Sequence, residues 1–188
     1  PHTAFPNRQP PRKIEGAVAV DGTPFMHNKT TLPNGLRIVT GAMPHTRSAT
    51  VSMYVGAGSR YERDEEAGLS HFLEHMLFKG ASRRPTAREI SEAIESVGGS
   101  HNAATDREIT VYYAKVPHTA AMETIDILAD MIRAPIMDPA ELEKERSVIL
   151  EELFGSISGY EIDHAAVRRR RGEFLKGFCA MPITISRR

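Results

Sequence analysis

Three features of the chain predict an α+β fold, an antiparallel-rich sheet with helices packed on it. Short alternating runs bounded by turn residues mark strands. Other stretches carry apolar residues every three to four positions and mark helices. The two kinds come in blocks, β-β-β-α-α-β-β-α-α, rather than in strict alternation.

The elements follow in order. "KTTLPNGLRIVTGAM", Lys29 to Met43, reads as two strands joined at Pro33-Asn34-Gly35, residues suited to a tight turn. In "RSATVSMYVGAGS", Val51, Met53 and Val55 alternate with Ser52 and Tyr54, a third strand with one buried face that Gly56 and Gly58 stop. A helix is predicted from about Glu65 to Phe78, with Gly80 at the C-terminal cap. Thr86 and Glu89 form a capping box for the next helix, whose Ile90, Ala93, Ile94 and Val97 share a face before Gly98 and Gly99 end it. "HNAATDREITVYYAKV" predicts two antiparallel strands around Asp106-Arg107-Glu108. Thr119 to Arg133 predicts a helix with Met122, Ile125, Leu128 and Ile132 as its stripe, ended by Pro135. Asp138-Pro139 opens the last helix, which runs to about Leu153.

The ends differ from this middle. Residues 1–28, with Pro6, Pro10 and Pro11 and no acid before Glu15, are expected to be a disordered extension. Residues 29–154 form the folded domain. Residues 155–188 lack a sustained period and include the basic run Arg168 to Arg171, expected to be a solvated tail or a short helix with a charged face.

Composition narrows the function. With 188 residues, 40% of them apolar, the chain can bury a proper core. Lys plus Arg equals Asp plus Glu at 24 each, so no global field draws the chain to nucleic acid or an anionic membrane. Cys179 is the only cysteine, which excludes an internal disulfide and a multi-thiolate metal site. No apolar run approaches the roughly 18 residues that cross a bilayer, and the first residues lack the apolar centre of a secretory signal. Any metal would rest on His and carboxylate.

"GLSHFLEHMLFKG", residues 68–80, is where such chemistry concentrates. On a helix, His71, Glu74, His75 and Phe78 project from one side, and Phe72, Leu73, Met76 and Leu77 cover the other. The polar trio interrupts a helix otherwise apolar nearly all round, and such a helix is normally interior. Two buried imidazoles and a carboxylate need partners. A divalent ion would satisfy all three, because i, i+4 spacing suits two imidazoles on one tetrahedral zinc with the intervening Glu aimed at its water. A metal-free hydrogen-bonded cluster would also satisfy them.

A second stretch, "LEKERSVILEELFG", bears on that choice. Leu142, Ile149 and Leu153 define the buried side of its helix, with Glu145 and Glu152 at the edge of that side and Glu151 facing solvent. No Lys or Arg shares the edge with these carboxylates. The missing positive charge is therefore expected to be an ion held by the first helix.

"HFLEHMLFKG", followed 77 positions after His75 by the Glu152 of "ERSVILEE", resembles the inverted zinc motif of the pitrilysin-type metallopeptidases, the inverzincins. "TTLPNGLRIVT", "GAGSRYE" and "GGSHNAATDREITVYYAKVP" are similar, in the same order, to the branch that contains mitochondrial processing peptidase and its bacterial relatives. The resemblance covers about residues 29 to 154.

It implies a zinc-dependent endopeptidase domain acting on unfolded peptides or presequences. His71, His75 and Glu152 would bind one Zn²⁺ per chain, and Glu74 would be the general base. Glu145 would stand behind the site and orient a ligand, the plain alternative being a surface carboxylate. Substrate would add as a strand along Asn102 to Thr105, with Asn102 holding its backbone and Ala103 and Ala104 leaving room; an ordinary hairpin is the alternative. Phe78 would form an apolar wall for the residue after the cut, or else pack in the core. His101, like His45, His118 and His164, is expected to be merely exposed.

The resemblance also implies parts not evident in the chain. Family subunits are usually more than twice this length, with two related domains facing across a chamber. A missing C-terminal domain, or a homo- or hetero-oligomeric partner, is therefore expected, with no nucleic acid and no membrane. A non-catalytic subunit or inactive fragment that still binds zinc is the alternative. The compartment implied is the cytoplasm in a bacterium and the mitochondrial matrix in a eukaryote.

Overall fold

The computed structural model describes residues 27–157, with side chains as far as Glu152. The expected extension and tail lie outside the described residues except at their inner ends, and both ends differ from expectation. His27 and Asn28 already belong to the first strand, and the last helix carries its backbone on to Ile157.

Residues 27–46 form a unit of their own, a hairpin of β1 (His27–Thr31) and β2 (Arg37–Gly41). Gly35, at φ 85°, takes the left-handed position of its turn, and the Asn34 side-chain oxygen accepts the Leu36 N–H at 3.1 Å. Every residue of both strands is exposed within the chain.

The second unit is built on a three-stranded antiparallel sheet of β3 (Ser48–Val55), β4 (Ser100–Thr105) and β5 (Thr110–Pro117), in the order β3-β5-β4. Its helices are α1 (Leu69–Leu77), α2 (Ala87–Glu95), α3 (Ala121–Arg133) and α4 (Pro139–Ile157). The predicted order of strands and helices is the observed one.

Alternation sets the sheet faces. Val51, Met53 and Val55 turn inward while Tyr54 faces solvent, and Tyr112, Ala114 and Val116 are buried on the same side. Ile90 and Ile94 of α2 and Ile127, Leu128 and Met131 of α3 close over that face. A smaller core joins Phe72 and Met76 of α1 to Leu142 and Ile149 of α4. Because Leu77 enters the first core, α1 lies between the two.

Besides α4, three helices depart from their predicted form. α1 starts at Leu69, because Asp64–Glu66 is a separate 3-10 turn and Gly68 takes φ 90° at the N-cap. Two of the N–H groups of its entry, on Gly68 and Ser70, both donate to the Glu62 carboxylate at 2.7 Å, a cap from six and eight residues upstream. It also ends at Leu77 with Phe78 as the cap, so Gly80 is not the cap. α2 ends at Glu95, leaving Val97 outside the helix.

The inward face of α3 is rotated from the predicted stripe. Thr124, Ile127, Leu128 and Met131 are buried, whereas Met122 is 76% exposed and Ile125 40%. Polarity hid this face: Thr124 donates its hydroxyl back to the Ala120 carbonyl at 2.9 Å, and Asp130 accepts the Arg83 N–H at 3.0 Å. Both polar side chains are buried because both are satisfied.

Gly58 fixes the β4–β5 turn beside α1. A Cβ there would stand 2.3 Å from the Asp106 carbonyl oxygen, so only glycine lets the two backbones approach this closely.

Candidate metal centre

The site is assembled from α1, α4 and the end of β4. His71 and His75, one turn apart on α1, bring their Nε2 atoms to 3.2 Å with the rings nearly perpendicular at 84°. Glu152, from the far half of α4, places Oε2 at 3.6 Å from each of them. A tetrahedral ion with bonds of about 2.0–2.2 Å separates its ligand atoms by about 3.3–3.6 Å. The triangle of donors, with edges of 3.2, 3.6 and 3.6 Å, lies within about 0.1 Å of that range, so the three residues fit one zinc ion.

The proton inventory agrees. His75 Nδ1 lies 3.0 Å from Glu145 Oε2 and donates its hydrogen to that carboxylate, which leaves the lone pair on Nε2, facing the other donors. Glu145 is 5% exposed, so the surface alternative for it does not hold. Burial pushes its carboxyl up, but the bonds from Lys79 and then His75 outweigh that and bring it below the usual carboxylate range.

Lys79 corrects the expectation about charge. Its Nζ pairs with Glu145 Oε1, so the cation that α4 lacks along its own edge comes from the residue just past the cap of α1. The signal was present in the sequence: His71, His75 and Lys79 recur every four residues and share one helix line. Among the described residues Glu152 has no such lysine; it faces the two imidazoles instead.

Glu74 is half-buried beside this cluster, and its Oε2 accepts the Thr105 hydroxyl at 2.5 Å. On the paired strand, Thr110 donates its hydroxyl to the Ala57 carbonyl at 3.1 Å, with its Oγ1 3.3 Å from Thr105 Oγ1. Burial pushes the Tyr112 phenol up to about 12, and the negative charge of Glu74 adds to the shift. Lys79, Thr105 and Glu62 all act here without having been singled out from the sequence. Only Lys79 carried a pattern to find it by.

The remaining candidates divide by strand face. β4 is at one end of the sheet, so one of its edges has no strand partner among the described residues. Asn102 and Ala104 are exposed, while the Ala103 methyl is buried in the core. The Asn102 side-chain oxygen accepts the Ala103 N–H at 2.9 Å. Phe78 packs against the core, its ring 6.1 Å from Tyr112 and 5.5 Å from His101. His101 is therefore half-buried rather than merely exposed, and its Nδ1 is buried without a hydrogen-bond partner. His45 and His118 are exposed as expected, and His164 lies outside the described residues. An open cleft of about 310 Å³ lies against His71 and Thr105, with Glu62 and Arg107 on its walls.

Comparison with known proteins adds the lineage. Residues 37–167 match the family model described as Insulinase (Peptidase family M16). A probable mitochondrial-processing peptidase subunit beta of Arabidopsis thaliana is 48% identical over 124 residues, 66% of this chain and 23% of the relative. An uncharacterized zinc protease of Bacillus subtilis is 46% identical over 128 residues, 68% of this chain and 31% of the relative. The chain thus matches 23% and 31% of the length of these two relatives. Among solved structures, pitrilysin superposes with a TM-score of 0.67 at 30% identity, over 76% of this chain and 15% of pitrilysin. A protease from Helicobacter pylori gives 0.65 at 29%, over 68% of this chain and 30% of that one.

Proposed function

This chain belongs to the insulinase family of peptidases, family M16, and from that membership we propose that residues 29–154 are the zinc-binding domain of a metalloendopeptidase. The observation that carries the reading is the donor triangle of His71, His75 and Glu152, with edges of 3.2, 3.6 and 3.6 Å. The zinc protease names of relatives support the same metal.

These three residues hold the ion, one per chain. When bound, zinc supplies Lewis acidity, making water ionise near pH 7 and polarising a carbonyl. Glu74 takes the proton from the attacking water and delivers it to the leaving amine. Thr105 occupies one oxygen of Glu74, which directs that work to the other, Oε1. Glu145 holds His75 by its Nδ1 hydrogen, fixing the ring and its tautomer.

The substrate is an unfolded peptide or presequence, laid antiparallel on the open edge of β4. Asn102 then exchanges its bond to the Ala103 N–H for one to the peptide backbone, and the short side chain of Ala104 keeps the approach clear. Phe78 contributes an apolar wall to the pocket for the residue after the cut. A second domain or partner chain closes over the peptide, in line with relatives that are named as subunits. The relatives named as subunits are named mitochondrial and come from eukaryotes, whereas others named zinc proteases come from bacteria, which supports the mitochondrial matrix or the bacterial cytoplasm as the compartment.

The test measures bound zinc and peptide cleavage in the parent and in Glu74→Gln, alone and with partner chains. Expected are one zinc per chain in both and a loss of about 10²–10⁴-fold in cleavage for the variant. Equal cleavage by both would remove Glu74 from its role. Zinc uptake without cleavage under any pairing would leave a binding subunit rather than an enzyme.

A further inference from the structure

We infer that Lys79 is a positioning residue of the metal centre: its ammonium group holds the buried Glu145 carboxylate in the orientation that keeps His75 Nε2 turned toward the other two donors. The inference deepens the proposed zinc reading and rests on it. Its basis is a continuous line of contacts, from Lys79 Nζ to Glu145 Oε1, and from Glu145 Oε2 to His75 Nδ1 at 3.0 Å.

Burial separates this pair from the surface ones. The side chains of Lys79 and Glu145 are 26% and 7% exposed, against 84% and 59% for Arg88–Glu92. Among the described residues it is the one Lys or Arg pair with both partners less than a third exposed. Exposed pairs contribute little, whereas removing one partner of a buried pair leaves the other charge uncompensated. Without the ammonium, Glu145 turns toward solvent and His75 loses the acceptor for its Nδ1 hydrogen. The hydrogen is then free to sit on Nε2, where the metal needs a lone pair.

The helix end makes Lys79 suited to the task. The Phe78 N–H donates to His75 O at 3.2 Å and the Lys79 N–H to Met76 O at 3.1 Å, tightening the last turn of α1. Lys79 is thereby held just past the cap of α1, four residues beyond His75, and Glu145 of α4 contacts both side chains.

The experiment uses the full chain, stripped of metal, as parent, Lys79→Gln, Lys79→Arg, Glu145→Gln and the Lys79→Gln/Glu145→Gln double variant. Zinc affinity is read by competition with a chromogenic chelator, histidine tautomers by long-range proton–nitrogen NMR on the metal-free chain, and folding by circular dichroism. Lys79→Gln should weaken zinc binding about tenfold or more, as loss of such outer partners does, with Lys79→Arg recovering most of it. The double variant should bind no worse than Glu145→Gln, and His75 should pass from the Nδ1–H form to a mixture in Lys79→Gln. Affinity within about twofold of the parent with an unchanged tautomer would overturn the inference, as would full additivity of the two losses. If the parent takes up no zinc, the proposed function fails, and an unchanged tautomer in Lys79→Gln would separately overturn the role of Lys79. Should Lys79→Gln lose its helical signal, Lys79→Met, which keeps the apolar stem, is scored by the same criteria.

Discussion

A hydroxyl on the neighbouring strand determines which oxygen of Glu74 is free to act. Thr105 has one proton and gives it to Glu74 Oε2, so replacing it by an isosteric hydrocarbon unties the carboxylate without changing the space filled. A hydrogen bond to a charged group contributes about 1.5–3 kcal/mol, or roughly 10–100-fold in rate if it is spent on alignment. Thr105→Val should lower peptide cleavage by that factor at unchanged zinc content, and Thr105→Ser should restore most of it, both read by steady-state kinetics beside metal analysis. Tyr112 offers a test by pH. Its phenol, pushed up to about 12 by burial, ionises near 10 once unfolded, so its share of stability is intact below about pH 10 and is lost as pH rises through about 12. Urea midpoints at pH 9 and pH 11 should fall further in the parent than in Tyr112→Phe. At this scale the sequence shows rare residue types in an apolar setting, which is why His71, Glu74 and His75 were legible. It does not show partners between elements: the residues of α4 alone do not point to Lys79, just past the cap of α1, as the cation beside Glu145.

Elements were legible where local chemistry closes them. The Thr86–Glu89 capping box forms in both directions, with the Glu89 N–H on Thr86 Oγ1 at 3.2 Å and the Thr86 N–H on Glu89 Oε2 at 2.9 Å, and the Asn34-Gly35 turn joins its hairpin. The start of α1 was not legible, because Glu62 caps it over an intervening 3-10 turn. α3 failed differently: a stripe chosen for apolarity passed over Thr124 and Asp130, which enter the core with their polar atoms satisfied. The correction has a measurable consequence. Met131→Ala should cost about 2–5 kcal/mol, since it empties a fully buried site, while Met122→Ser on the exposed side should stay within about 0.5 kcal/mol. Denaturant unfolding of the two variants distinguishes the observed face from the predicted one.

At the scale of the whole second unit, α1 and α4 meet through a small apolar core and through the donor triangle. An ion bound there ties together segments 77 positions apart in the chain and absent from each other's company when unfolded. Zinc at a hundredfold excess over its dissociation constant should stabilise the fold by about 2.7 kcal/mol, seen as a raised melting temperature that a chelator reverses and that Glu152→Gln largely abolishes. The order of strands and helices was legible because each signal is local. That α4 returns to α1 was suggested by its uncompensated inward carboxylates and specified by the resemblance of the paired motifs, since nothing in the periodicity of either helix names its neighbour.

The centre is unequal front to back. Behind it, Glu145 and His75 have side chains 7% and 19% exposed; in front, His71 and Glu152 are 36% and 49% exposed. An ion or water reaching this cluster from bulk solvent would therefore meet His71 and Glu152 first, with the Lys79–Glu145 pair as the rear wall.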